Sequence, residues 1–173
     1  MKKILYLFLT VSLIFSSCTK EEDEVVTPTV ITGCMDNTAD NYNSNATTEA
    51  NNSCNFSAEV VYFLFKSASD AMMAASIPYV YFYDSFGNSI GTITFQYFYN
   101  NINDVPCSQV DGTLYTTVTW TGNSSTNGAN FEYSIFEDDM TYIATGNLSV
   151  SANMCTKFGF TVTKSMAEEM LNR

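Results

Sequence analysis

The stretch EVVYFLFK, residues 59–66, places six consecutive apolar residues between a glutamate and a lysine. Because side chains alternate between the two faces of a strand, a strand built from this stretch would be apolar on both faces. That pattern is typical of a central strand that is buried on both sides. The stretch therefore predicts the middle of a sheet.

Six further segments have the pattern of strands, at residues 79–84, 89–99, 113–121, 131–137, 142–150 and 155–163. Residues 113–121 alternate strictly, which predicts that Leu114, Thr116, Val118 and Trp120 point inward. The alternate residues Tyr115, Thr117, Thr119 and Thr121 are then expected to point outward. About seven short strands separated by turns predict an all-β fold, an antiparallel β-sandwich over residues 58–164.

The segments between and after these strands are less regular. Residues 70–75 are compatible with one helical turn or with a loop. Residues 165–173 predict a short C-terminal helix or a tail, because Ser165 and Glu168 have capping-box spacing.

Residues 1–17 have the organisation of a signal peptide. Lys2 and Lys3 precede an apolar run over residues 4–15, which is too short to span a bilayer. Small residues then lead to Cys18. The alternative interpretation is an ordinary secretory signal followed by an incidental cysteine.

The sequence Ser16-Ser17-Cys18 after this run resembles a bacterial lipoprotein signal, in which the peptidase cuts before a lipidated cysteine. It departs from the usual pattern in having Phe15 where leucine is common. The acidic residues TKEEDE, 19–24, resemble the surface-export signal of lipoproteins from Bacteroidota. These resemblances imply a protein anchored in the outer membrane through a lipid on Cys18 and exposed at the cell surface. By composition, residues 18–32 are typical of a flexible acidic linker.

Four cysteines remain when Cys18 is assigned to the lipid, which is an even number in an oxidising compartment. Three pairings are possible. We favour Cys34–Cys54 and Cys107–Cys155, because each pair then lies within one structural unit. A zinc site is the alternative, but the chain has no CxxC spacing and no histidine.

Residues 33–54 contain few large apolar side chains, so a small module there needs a disulfide and Asx turns to hold it. The segment resembles a short repeat, G-C-x-D-x-x-A-x-N-Y-N, of secreted and surface proteins of Bacteroidota. The positions that carry the resemblance are Gly33, Cys34, Asp36, Ala39, Asn41, Tyr42, Asn43, Ala46, Thr47, Ser53 and Cys54. The resemblance implies a spacer or surface module and brings no activity with it.

Calcium is a candidate ligand of this module, and the only cofactor the sequence suggests. Hard oxygen ligands occur at short spacing, on Asp36, Asp40, Asn43, Asn45 and Glu49. The alternative is a loop held by the disulfide and Asx turns alone. The repeat often carries Asp-Asp-Gly before its last Ser-Cys, whereas this chain has Ala50-Asn51-Asn52.

The composition argues against several classes of function. A net charge of −11 disfavours nucleic acid as a partner. Without histidine, and with its cysteines expected to be lipidated or paired, the chain lacks the usual nucleophilic sites, and we predict that it is not an enzyme. Carboxylates for a glycosidase exist, but they fall at predicted turns or on outward positions: Asp84, Glu132, Glu137, Asp138 and Asp139.

Tyrosines recur with the period of a strand, at Tyr79, Tyr81 and Tyr83 and again at Tyr97 and Tyr99. On an inner face these rings would be core, and on an outer face they would be a flat stacking surface for sugar rings. The sequence therefore predicts a non-catalytic interaction or adhesion module whose partner is an unknown protein or glycan. A carbohydrate-binding accessory lipoprotein of a glycan-uptake system is the first alternative, and an envelope hydrolase is the second.

Overall fold

A computed structural model of the chain describes residues 28–172, which form seven strands and two α-helices. The strands are β1 (Cys54–Leu64), β2 (Tyr79–Asp84), β3 (Ser89–Thr94), β4 (Thr113–Gly122), β5 (Gly128–Phe136), β6 (Tyr142–Ser151) and β7 (Cys155–Phe160). The helices are α1 (Lys66–Ala74) and α2 (Lys164–Leu171), and a single 3-10 turn covers Ile102–Asp104. Within the described part of the chain no helix is long and apolar enough to cross a membrane.

The strands form two sheets, one in the order β4-β1-β7 and the other in the order β3-β2-β5-β6. The prediction of a seven-stranded β-sandwich is confirmed, and β1 is the middle strand of its sheet. Four of the five strand pairs are antiparallel, and β1 with β7 is parallel. A parallel pair needs a long crossover. Here the whole second sheet lies between β1 and β7 in the chain.

The core lies between the inner faces of the two sheets. Tyr62 of β1 contacts Phe82 of β2, with ring centroids 5.5 Å apart. Burial raises the pKa of Tyr62 to about 12, so this hydroxyl stays protonated at neutral pH. The predicted inward apolar residues of β4 pack against this core, and Trp120 stacks on Phe56 at a centroid distance of 5.6 Å.

The other face of β1 is covered by the loop between β3 and β4. Val61 and Phe63 form a second cluster with Val105 of this loop, and all three side chains are buried. The Cys107–Cys155 disulfide ties the same loop to β7. Both predicted disulfide pairings are therefore confirmed, since Cys34 is bonded to Cys54.

The third strand is shorter than the predicted 89–99. Tyr79 of β2 pairs with Thr94, and Pro78 precedes Tyr79, so β3 has no partner strand beyond this point. The chain turns there, with the Tyr97 amide donating to the Thr94 carbonyl at 3.3 Å. The chain then crosses to the other sheet, where the Tyr99 amide donates to the Leu64 carbonyl at 2.9 Å.

The helices also differ from expectation at their N-termini. α1 begins at Lys66 and is longer than the turn expected over residues 70–75. α2 is capped by Thr163, whose hydroxyl accepts from the Met166 amide, and Ser165 lies inside the helix. Because an N-cap residue must itself be non-helical, Thr163, whose backbone is extended, takes this position instead of Ser165.

Candidate functional site

The outer face of the β3-β2-β5-β6 sheet carries three of the five tyrosines singled out from the sequence. Val80 and Phe82 of β2 point into the core and are fully buried. Alternation therefore turns Tyr79, Tyr81 and Tyr83 to the opposite side, where each is half-buried. These tyrosines do not belong to the core between the sheets.

The three tyrosines continue across the sheet into a line of five rings, which we call the aromatic row: Tyr79, Tyr81, Tyr83, Phe136 and Tyr142. Successive centroids are 5.4, 6.2, 5.5 and 5.7 Å apart. The interplanar angles are 88°, 40°, 88° and 74°. The expectation of a flat surface is wrong, because neighbouring rings prefer edge-to-face contact. The row therefore presents ring faces in several directions.

Phe136 and Tyr142 were missed by reasoning from the sequence. Phe136 pairs with Tyr81 across β2 and β5, and with Tyr142 across β5 and β6. The register of β5 and β6 shifts between Ile135 and Phe136, which brings Tyr142 opposite Phe136. Alternation along residues 131–137 does turn Phe136 outward, but which strand lies beside β5 is not visible in the sequence.

Hydroxyl groups flank the aromatic row on both sides. Thr92 of β3 pairs with Tyr81, and Ser134 of β5 pairs with Tyr83. Farther along β5 and β6, the Ser149 hydroxyl lies within hydrogen-bonding distance of the Asn130 side-chain oxygen. The face therefore combines aromatic rings with neutral hydrogen-bonding groups.

A depression of about 380 Å³ lies beside the third and fourth rings of the aromatic row, Tyr83 and Phe136. Its walls are formed by Tyr83, Asp84, Ser85, Gly87, Glu132, Ser134, Phe136 and Met140. The Tyr83 hydroxyl is 3.8 Å from the Met140 sulfur. Rings, a thioether and two carboxylates thus line one concave surface.

The electrostatics of this face are anionic. Asp84 accepts from the Asn88 side chain and from the Phe86 and Asn88 amides, and these hydrogen bonds hold its pKa below the usual value. A hydrogen bond with Tyr81, and to a lesser degree the nearby charge of Asp138, raise the pKa of Tyr79. These two shifts keep the Asp84 carboxylate ionised and the Tyr79 phenol protonated at neutral pH.

Cationic side chains are few in the part of the chain that the structure describes. Residues 28–172 contain fourteen Asp and Glu but three Lys and no Arg. The three lysines are Lys66 on α1, Lys157 on β7 and Lys164 on α2. None of them belongs to the four strands of this sheet, so its carboxylates have no lysine neighbour on the same sheet.

Tyr97 and Tyr99 do not join the aromatic row, contrary to the expectation of one tyrosine-rich face. Both follow the end of β3 and lie on the loop that leads to the other sheet. Tyr99 packs edge-on against Phe63, at a centroid distance of 5.7 Å. Tyr97 is 44% exposed and lies against Gly112. The early end of β3 therefore separates two tyrosines that the sequence pattern had grouped with the others.

The small module is joined to one end of the sandwich. Cys34, Ala39 and Cys54 pack together with Phe56 and Ala152 of the sandwich. The module begins before its predicted first residue, Gly33. Ile31 already belongs to it, because its carbonyl accepts from the Thr47 and Thr48 amides at 2.8 and 3.2 Å.

The calcium candidates are engaged in hydrogen bonds with the protein. Asp36 accepts from the Thr38 amide and hydroxyl, Asn43 from the Asn45 amide, and Asp40 from the Ser57 hydroxyl. Glu49 accepts from the Ser124 amide and hydroxyl at 3.0 and 2.7 Å, which ties the module to the β4–β5 loop. These bonds engage one side-chain oxygen each of Asp36, Asp40 and Asn43 and both carboxylate oxygens of Glu49.

One group of three potential metal-binding side chains occurs between residues 28 and 172, formed by Cys34, Glu49 and Cys54. Its two sulfurs are bonded to each other in the disulfide, so neither is a thiolate ligand. Glu49 is therefore a structural contact between module and sandwich in this arrangement.

The predicted lipidation site, Cys18, lies outside the described residues.

Compared with models of known protein families, with curated proteins and with solved structures, the chain matches none of them.

Proposed function

We propose that this chain is a lipid-anchored protein of the outer membrane, exposed at the cell surface, whose sandwich is a non-catalytic module that binds a glycan along the aromatic row. The observation that carries the proposal is the position of Tyr79, Tyr81 and Tyr83 on the outer face of their sheet. On the inner face, the same residues would have been part of the core, and their pattern would have indicated a role in stability and not in binding.

The chemistry of sugars fits such a face. A pyranose ring has an apolar side that stacks on an aromatic ring and equatorial hydroxyls that need hydrogen-bond partners. Tyrosine supplies both kinds of contact, and Thr92 and Ser134 beside the row add further hydroxyls. A row of differently tilted rings suits a chain of sugars whose successive rings turn relative to one another.

The proposed location rests on the first residues of the chain and on the disulfides. A dibasic start, a short apolar run and Cys18 form the signal, and residues 19–24 form the acidic export segment. Two disulfides in a chain of this size favour an oxidising compartment. The proposal of a non-catalytic role is supported by the absence of histidine from the sequence and by the pairing of Cys34, Cys54, Cys107 and Cys155.

Tyr81→Ala is expected to weaken glycan binding about tenfold, which corresponds to about 1.4 kcal/mol, because it removes the second ring of the aromatic row. The full chain, purified in a non-ionic detergent, is first screened on a broad glycan array. The best ligand is then titrated calorimetrically against the wild type and the variant. A thermal unfolding scan shows that the variant is folded.

Tyr97→Ala is the matched control, because Tyr97 is an exposed tyrosine that lies off the row. It is expected to bind as the wild type does. Equal losses in both variants would place the glycan elsewhere. If the folded wild type binds nothing on the array, the glycan proposal fails and a protein partner takes its place.

Cys18→Ala is expected to abolish lipidation and to move the protein from the outer membrane to the soluble fraction. The physical reason is that several acyl chains anchor a protein firmly, at about 0.8 kcal/mol for each buried methylene group. Fractionation of cells, followed by immunoblotting, measures the change, and protease added to intact cells tests surface exposure. Ser17→Ala, which keeps a small residue before Cys18 and leaves both disulfides intact, serves as the control. A Cys18→Ala protein that still fractionates with the outer membrane would refute the anchor.

A further inference from the structure

The depression beside Tyr83 and Phe136 is walled by these two rings of the aromatic row, which meet at a right angle. The Tyr83 and Phe136 centroids are 5.5 Å apart, and the ring planes form an angle of 88°. Two perpendicular rings make the adjacent walls of a partial cage. Met140 forms part of the rim, and it is 50% exposed, so the depression is open to solvent on that side.

Two carboxylates line the same depression. Asp84 is held by the β2–β3 turn, where hydrogen bonds from Asn88 and Phe86 lower its pKa and keep it ionised. Glu132 lies on β5, two residues before Ser134. No lysine of the described residues is on this sheet, so the negative potential of the depression is not cancelled by a cation on its own strands.

Aromatic walls and carboxylates share a preference for one class of ligand. The face of an aromatic ring carries negative electrostatic potential and attracts an ammonium or guanidinium group, and a carboxylate attracts the same group. A neutral sugar could stack on the rings and hydrogen-bond to the carboxylates, but it would gain no charge–charge attraction here. A uronic acid or a sulfated sugar would be repelled by Asp84 and Glu132.

We propose that the depression formed by Tyr83, Phe136, Asp84 and Glu132 binds a protonated primary amine, so that the module selects glycans that contain unacetylated amino sugars. This inference rests on the proposed function, because it names the class of glycan that the aromatic row takes. Asp138, whose charge acts on Tyr79, places a further carboxylate near the first ring of the row. A second amine along a polymer of amino sugars would meet that charge.

The test compares oligosaccharides of matched length that differ in charge. The full chain in a non-ionic detergent is titrated calorimetrically with a glucosamine oligomer, an N-acetylglucosamine oligomer, a cello-oligosaccharide and a galacturonic acid oligomer. At low salt and at a pH where the amine is protonated, the glucosamine oligomer is expected to bind about tenfold more tightly than the two neutral ones. The preference should fall as sodium chloride is added, because salt screens charges at an open site.

Two variants separate the contribution of charge from that of the rings. Glu132→Gln keeps the shape of the side chain and is expected to reduce the affinity for the glucosamine oligomer about fivefold, leaving the neutral oligomers unchanged. Phe136→Leu keeps an apolar side chain but removes the ring. It is expected to weaken the affinity for the glucosamine oligomer about threefold. Glu168→Gln makes the same change of charge on α2, away from the depression, and should have no effect.

Each outcome decides the inference. Equal affinities for the amine and the neutral oligomers would overturn it and leave the proposed glycan binding intact. A loss in Glu168→Gln as large as that in Glu132→Gln would also overturn it, because the preference would then come from the overall charge. If a folded chain bound none of the four oligomers and no ligand on the array, the proposed function itself would fail.

Discussion

Phe82→Ala is expected to lower the free energy of unfolding by about 4 kcal/mol, because it removes a fully buried ring from the middle of the core. Phe82 contacts Tyr62 across the space between the sheets, so the cavity left behind is bordered by both sheets. Neither sheet can move inward to fill it without breaking strand pairing elsewhere. Urea denaturation followed by circular dichroism measures the change, and the slope of the transition should stay the same.

Tyr81→Ala is the matched control for this substitution. Tyr81 is the preceding residue on β2, and it faces outward in the aromatic row. Because the site is half-exposed, the loss should be about 1 kcal/mol or less. Comparing the two variants therefore separates stability from binding. Phe82→Ala is expected to change mainly the free energy of unfolding, and Tyr81→Ala mainly the affinity for the glycan. Equal destabilisation by the two variants would mean that the two faces of β2 are not what the structure assigns.

Replacing both Cys107 and Cys155 by alanine is expected to cost about 4 kcal/mol of stability in the chain-entropy description, because the disulfide closes a loop between residues 48 positions apart. Its place in the fold adds a second reason. The loop that it anchors to β7 carries Val105, which covers Val61 and Phe63 of β1. Without the bond, the cover of this outer face is held only by side-chain packing and a few hydrogen bonds. The midpoint of urea denaturation measures the change.

The double replacement of Cys34 and Cys54 is the comparison for this prediction. These cysteines are 20 residues apart, so the expected cost is smaller, at about 3 kcal/mol. The loss should also be confined largely to the module, where the stapled segment has few apolar side chains of its own. Hydrogen exchange would show faster exchange of the Asn43 and Ala46 amides, while those of β1 in the sandwich stay protected. An unchanged midpoint after removal of Cys107 and Cys155 would contradict the assigned role of the loop.

Much of the fold was predictable because a strand that is buried on one or both faces needs apolar residues at regular positions in its sequence. Residues 59–66 are apolar on both faces, and the structure places β1 between two neighbours with both of its faces covered. The apolar inward set of β4 was predicted from strict alternation and is observed. The disulfide pairing followed from the assumption that each bond lies within one unit. The parallel pairing of β1 with β7 was not predictable, because no local pattern records which distant strand lies beside another.

The candidate site was only partly predictable for the same reason. The tyrosines of β2 were recognised from their period, but the sequence could not say whether their face was core or surface. Tyr97 and Tyr99 have the same period and lie elsewhere, because β3 ends where its partner β2 begins. Phe136 and Tyr142 belong to the row through pairing across β5 and β6, which are distant from Tyr79 in the chain.

The sequence by itself determined the class of the fold and the alternation of side chains along its regular strands, and it favoured the cysteine pairing that the structure has. Each of these depends on residue spacing or on composition, and both are visible in the sequence without knowledge of the tertiary structure. The tertiary structure alone decided which strands are neighbours, where β3 ends, and which face of β2 is the outer one. Those features depend on contacts between residues far apart in sequence. The apolar side of a strand must be covered, but its local sequence does not determine which other element covers it.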